Sequence, residues 1–282
     1  MNYTEQTVTI ACEKDTLAGI LAVPEIAGTT GVIVIVGGPQ YRAGSHRQFV
    51  LLSRTLAAAG YSVLRFDYRG MGDSTGAQRD FTEVSADIAA AIATMQLKLP
   101  SVQRVALWGL CDGASAALLY CHESQDPRVS GLCLVNPWVR SEASLARAHV
   151  KHYYGDRLRQ KEFWAKLVSG KVAVSALTGL WRNFSLMRNS SVQAMPTERP
   201  PFQQRMASTW SSFGGRILLI LSGDDYTAKE FVEHASVDAA WRGLLERPNV
   251  IRQDLANVDH TFSSMVARNT VGGLTLNWLQ SA

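Results

Sequence analysis

The 282-residue sequence predicts an α/β fold, a mostly parallel central sheet with helices on both faces. Three observations carry that prediction. Apolar, β-branched runs alternate with stretches of helical period. One such run, residues 104–107, turns directly into a helix through Gly109-Leu110-Cys111-Asp112-Gly113. An acidic pair and a histidine follow late in the chain, in Gly223-Asp224-Asp225 and Asp259-His260.

In order, residues 7–11 and 17–23 read as a hairpin across Glu13-Lys14-Asp15. Residues 31–36 are a continuous apolar run, the mark of a strand buried on both faces. Residues 48–59 have helical spacing and stop at Gly60, and 61–67 form another strand. Residues 81–97 read as one amphipathic helix ending before Pro100. The strand 104–107, a helix over 114–120 and a strand over 131–135 come next. Strand-helix alternation of this kind gives parallel strands joined by right-handed crossovers.

The rhythm lapses at 139–215, a helical stretch rich in Arg, Lys, Trp and Tyr, which reads as a cap inserted into the core. It resumes with a strand over 217–221, a helix over 228–245, a short strand over 249–253 and a final helix over 263–279. The expected division is therefore a core of 1–138 and 216–282 and a cap of 139–215.

An apolar fraction of 46% and a charged fraction of 18% are those of a soluble globular protein. The N-terminal residues lack the apolar core of a signal peptide, and no run approaches the ~20 apolar residues of a membrane span. The expected location is the cytoplasm. Cys12, Cys111, Cys121 and Cys133 have neither metal-type nor disulfide spacing, as in a reducing compartment. His149 and His152 have no carboxylate partner at metal spacing, so neither metal nor cofactor is expected.

The net charge of +4 is uneven. Residues 139–215 hold twelve Lys/Arg and four Asp/Glu, a local +8, which leaves the rest at −4. With no basic run and no recognition module, nucleic acid is not an expected partner. An anionic substrate or a lipid headgroup surface fits the basic segment, as does a solvated helical face. The sequence leaves the oligomeric state open.

The chemistry follows from the turn at Cys111. Glycines two residues either side match the Gly-x-nucleophile-x-Gly spacing of a nucleophile elbow, with cysteine as nucleophile. The elbow lifts the thiol clear of the sheet, and the helix N-terminus behind it favours a thiolate and then an oxyanion. His260 is the base and Asp225 its orienting acid, with Asp224 as the alternative and Asp259 a loop cap. The amides of Asp112 and Gly38 are the expected oxyanion donors, since Pro39 has no N–H. Gln40, Tyr41, Arg42, His46 and Arg47 crowd the pocket mouth, either to grip substrate or to fix their loop. Ser74, off the elbow, pins its own loop.

These motifs, with Asp67-Tyr68-Arg69-Gly70-Met71-Gly72-Asp73-Ser74, resemble the α/β-hydrolase superfamily over nearly the full length. More narrowly, the run Gly37-Gly38-Pro39-Gln40-Tyr41-Arg42-Ala43-Gly44-Ser45-His46-Arg47-Gln48-Phe49 and the elbow resemble the hydrolase 1 group associated with exosortase A systems. That resemblance implies a Gram-negative setting beside exopolysaccharide and protein-sorting genes. Val36 stands where the superfamily often has histidine, and the Cys-His-Asp set is similar to that of dienelactone hydrolase. The expected activity is hydrolysis of an ester- or thioester-type acyl substrate, lipid- or saccharide-linked, through a thioester at Cys111. Acyl transfer from that thioester and a non-catalytic accessory role are the alternatives. A basic, Trp-bearing cap is compatible with contact at the inner membrane face.

Overall fold

The computed structural model describes residues 2–38, 40–140 and 199–281. These residues form one eight-stranded sheet: β1 (Tyr3–Cys12), β2 (Asp15–Pro24), β3 (Thr30–Ile35), β4 (Ser62–Phe66), β5 (Arg104–Leu110), β6 (Val129–Val135), β7 (Arg216–Ser222) and β8 (Val250–Leu255). The order across the sheet is β1-β2-β4-β3-β5-β6-β7-β8. The hairpin β1–β2 and the β2–β4 pair are antiparallel, and every pairing from β4 through β8 is parallel. The expected sheet is thus present, as an α/β-hydrolase fold.

Side-chain alternation sorts the central strands into two packed layers. Ile33, Ile35, Leu107, Leu132, Leu134, Ile217 and Leu219 face one cluster, and their neighbours Val32, Val34, Trp108, Cys133, Leu218 and Ile220 face the other. Helices cover each. The first layer packs against α2 (Ser85–Lys98), α3 (Asp112–Ser124), α4 (Phe202–Ser212) and α5 (Tyr226–Val237) through Ile88, Ala117, Trp210 and Phe231. The second takes α1 (Gln48–Ala58) and α6 (Met265–Gln280) through Phe49, Leu56, Val271 and Trp278. Burying each such aliphatic side chain contributes about 1.5–3 kcal/mol, so strands apolar on both faces require helices on both. Among the described residues, no helix is long and apolar enough to cross a membrane.

Two helices are shorter than their periodicity predicts, one interrupted at Val84 and the other at the aspartate cap Asp238. Asp80 accepts the N–H of Thr82 to start a 3₁₀ turn, Phe81–Glu83, and Val84 leaves helical geometry before α2 begins. Asp238 ends α5 in an extended conformation and accepts the N–H of Ala240 to begin the turn Ala239–Trp241. That break lets the Trp241 ring meet Trp210 and Phe231 edge-on, with centroids 5.4 and 5.3 Å away.

The core unit comprises Met1–Val139 and Pro201–Ala282, and a second unit spans Arg140–Pro200. Most of the expected cap, residues 141–198, lies outside the described residues, and His149 and His152 with it. The core resumes at Pro201, ahead of the expected boundary at 215. Helix α4 packs against α3, where the Thr209 hydroxyl donates to the Leu118 carbonyl at 2.9 Å.

Candidate active site

Cys111 sits between the end of β5 and the start of α3, with φ 59° and ψ −126°. For a residue with a Cβ this backbone is strained, and it is held from both sides. Its N–H donates to the Val135 carbonyl at 2.8 Å, and its carbonyl accepts from Ala114 at 3.1 Å and Trp138 at 3.2 Å. The flanking glycines are demanded by contact. A Cβ on Gly109 would lie 2.4 Å from the Gly113 carbonyl oxygen, and one on Gly113 would lie 2.5 Å from that of Ile35. Both are closer than atoms can approach, so the strand and helix can meet at this angle only through bare backbone. The predicted elbow geometry is present.

At Gly38 and Asp112, the expected oxyanion donors, the structure shows a contact that the sequence did not disclose. The Gly38 N–H donates to Asp112 Oδ1 at 2.5 Å. The amides of Gly113 and of Asp112 itself also act on this carboxyl. The Asp112 carboxylate thus occupies the hydrogen-bonding position in front of the Gly38 amide. Burial raises the Asp112 carboxyl above the usual range, while these amides pull the other way. Gly37 lets the loop come this close, because a Cβ there would fall 1.9 Å from the Leu110 carbonyl oxygen.

His260 follows β8, and its Nδ1 lies 2.7 Å from Asp225 Oδ2. Asp225 is buried at the end of β7, where its carboxylate also accepts the N–H groups of Thr227 at 3.0 Å and Ala228 at 3.3 Å. One side chain therefore caps α5 and orients the imidazole. Of the two aspartates left open by the sequence, Asp225 pairs with His260. Asp224 is exposed, and its N–H donates to the Val258 carbonyl at 3.0 Å. Asp259 caps its own loop, accepting from Thr261 at 2.9 Å and Ser263 at 3.0 Å. Burial opposes ionisation of Asp259, but these bonds prevail and hold its carboxyl far below the usual range.

Cys111, Asp225 and His260 stand at the carboxyl ends of β5, β7 and β8, the edge where parallel sheets collect chemistry. Val258 and Phe262, two residues either side of His260, belong to the same packed cluster as Cys111. A tie absent from the sequence reading supports that edge. Buried Asn136 donates to the Ser222 hydroxyl at 3.0 Å and accepts the Ser222 N–H at 2.8 Å, joining the ends of β6 and β7. Its φ of 46° lies in the left-handed region, which asparagine tolerates.

The residues expected at the pocket mouth divide. Arg42 ion-pairs with buried Asp67 and, at 2.5 Å, with Asp73. Gln40 Oε1 accepts from the Ser45 N–H at 3.0 Å. Both fix their loop. Tyr41 is 53% exposed, and His46 and Arg47 adopt positive φ and are exposed. Ser74 pins its loop as expected, donating to the Asp67 carbonyl at 2.8 Å and accepting the Ala18 N–H at 3.0 Å.

Residues 28–208 match the family described as serine aminopeptidase, S33. No curated protein matches in sequence. Among solved structures, a Pyrococcus furiosus esterase is similar at 18% identity and a TM-score of 0.62, over 98% of this chain and 93% of that one. Est1E of Butyrivibrio proteoclasticus, solved with ferulic acid, is 13% identical with a TM-score of 0.61, over 97% of this chain and 99% of that one. An alpha-beta serine hydrolase homologue from Coxiella burnetii is 14% identical with a TM-score of 0.60, over 97% of each chain. With the fold, the elbow and the late histidine in hand, the match over residues 28–208 establishes that the chain belongs to the S33 serine aminopeptidase family of α/β hydrolases.

Proposed function

We propose that the protein hydrolyses an ester- or thioester-type acyl substrate through a covalent acyl group on Cys111, with His260 as base and Asp225 as its orienter. The observation that carries this reading is the strained backbone of Cys111, held at φ 59° on the turn between β5 and α3. His260 takes the thiol proton as sulfur attacks the carbonyl carbon, forming the C–S bond. Negative charge on the carbonyl oxygen is met by the Gly38 and Asp112 amides, once the Asp112 carboxylate has withdrawn. The tetrahedral intermediate collapses as the C–O or C–S bond to the leaving group breaks and His260 returns its proton to that group. Water, giving a proton to His260, then attacks the thioester carbon. The acid departs and the thiol is restored.

A thiol leaves more readily than an alkoxide, which favours esters, thioesters or lactones over amides. The fold shared with the Pyrococcus furiosus esterase supports an ester class. The link to exopolysaccharide and exosortase systems rests on the likeness of residues 37–49 and 109–113 to that group. A lipid- or saccharide-linked substrate reached in the cytoplasm, near the inner membrane face, belongs to the same reading.

Incubation with a panel of aryl and alkyl esters and thioesters, followed by intact-mass analysis, tests the proposal. The expected result is an acyl adduct mapping to Cys111, formed far more slowly in His260→Ala and absent from Cys111→Ala. Turnover that persists in Cys111→Ala refutes it.

A further inference from the structure

Strand β8 is the last of the sheet and pairs with β7 alone. Its odd-numbered residues turn their main chain to β7. The Asn249 carbonyl accepts the Ile217 N–H and the Leu255 carbonyl accepts that of Gly223, each at 2.8 Å. The main-chain groups of Arg252 and Asp254 therefore point away from the sheet, and no strand among the described residues lies beyond them. Such an edge is a template for another strand unless proline, a bulge or a covering element blunts it. β8 has neither proline nor glycine, and its register with β7 is unbroken. Ile251 on this edge is 40% exposed.

The strand is also complementary to itself when reversed. Antiparallel pairing sets outward residues opposite outward residues, so a twofold axis can pass through only a few positions. Centred on Arg252 or on Asp254, it would oppose two like charges. Centred on residue 251, it would need the Val250 N–H, which already donates to the Arg247 carbonyl at 2.9 Å. Centred on Gln253, it sets Arg252 opposite the partner's Asp254, and Asp254 opposite the partner's Arg252. Each of those pairs exchanges two main-chain bonds, and on the other face Ile251 meets the partner's Leu255. Within one strand Arg252 Nε already lies 2.9 Å from Asp254 Oδ2, so the pairing closes a ring of alternating charges. On that face Ala228, Val232 and Ser236 of α5 leave an open trough of about 550 Å³ beside Asp254, which gives the partner's Arg252 side chain room.

We propose that β8 pairs antiparallel with β8 of a second copy of this chain about a twofold axis at Gln253, joining the two eight-stranded sheets into one. One strand pair is a small interface, so the association belongs in the micromolar range.

Analytical ultracentrifugation of the full-length chain, over a micromolar concentration series, tests it. The wild type is expected to dimerise. Arg252→Asp and Asp254→Arg each turn two attractions into repulsions and should weaken dimerisation about tenfold. An equimolar mixture of the two variants restores opposite charges across the axis, as does the double variant, and both should recover wild-type association. That recovery also shows that the variants fold. With an added oxidant, Gln253→Cys should cross-link to its own copy, because facing residues of this kind have Cα atoms about 4.5 Å apart, and Ile251→Cys should not. A wild type that stays monomeric, single variants that dimerise as the wild type does, or a mixture that fails to recover overturns the proposal. Cross-linking at residue 251 and not at 253 overturns it too.

Discussion

Replacing Asp225 by asparagine separates the two tasks of that carboxylate. Its Oδ1 accepts the Thr227 N–H at 3.0 Å, and its Oδ2 meets His260 Nδ1 at 2.7 Å. Asparagine keeps an amide oxygen for Thr227, and it caps helices about as well as aspartate. At His260 the change is severe, because an amide N–H₂ would face a ring nitrogen that must itself donate. The imidazole then adopts the wrong tautomer, which costs about 10⁴-fold in kcat for a triad aspartate. Asp225→Ala should lose the same activity and also the cap, worth about 1 kcal/mol. At this chain length that lowers Tm by about 2–4 °C. Steady-state ester hydrolysis and thermal unfolding of both variants, with Asp224→Asn as control, measure the two effects independently. An Asp225→Asn enzyme within tenfold of wild type, or a larger loss in Asp224→Asn, would refute the assignment.

Asp112→Ala should bind a trifluoromethyl ketone about tenfold more tightly than wild type, because the oxyanion no longer displaces a carboxylate from the Gly38 amide. Equal or weaker inhibition would mean that this carboxylate assists the site. Iodoacetamide at neutral pH should modify Cys111 first. All four cysteines are buried, but burial pushes the Cys121 thiol up to about 12 and those of Cys12 and Cys133 upward, whereas Cys111 stands at the N-terminus of α3. Peptide mapping that finds equal labelling of Cys121 contradicts this. Burial alone would raise the Asp126 carboxyl, but bonds from Arg128 and Tyr120 outweigh it and hold it down to about 2. A carboxyl lower in the folded than in the unfolded chain stabilises above the unfolded value and ceases to as pH falls. The urea midpoint should therefore drop between about pH 4 and pH 2. Arg128→Ala should be destabilised at pH 7 and much less so at pH 2, and an equal deficit at both would count against the pair.

Much of the site was legible because each requirement acts over a few residues. Gly109 and Gly113 are dictated by backbone contacts within one turn, and Asp259 caps a loop of its own neighbours. Helix ends were less legible. The breaks at Val84 and Asp238 fall inside continuous apolar periods, where a single aspartate cap and the packing of Trp241 override the repeat. Least legible were contacts across the sheet. The Asn136–Ser222 tie joins residues 86 apart in sequence, and Gly38 meets Asp112 across 74.

By itself, the sequence determined the parallel α/β architecture, the placing of Cys111, Asp225 and His260 at the ends of successive segments, and the bare-backbone turn at Cys111. These rest on periodicity and local sterics, which any short window displays. Tertiary structure alone decided that Asp225 rather than Asp224 meets His260, that Arg42 is spent on Asp67, and that Asp112 turns its carboxylate onto the amide of Gly38. Each of those choices depends on which strand ends lie side by side, and hydrogen-bond geometry of a few tenths of an ångström is set by the packed sheet rather than by neighbours in the chain.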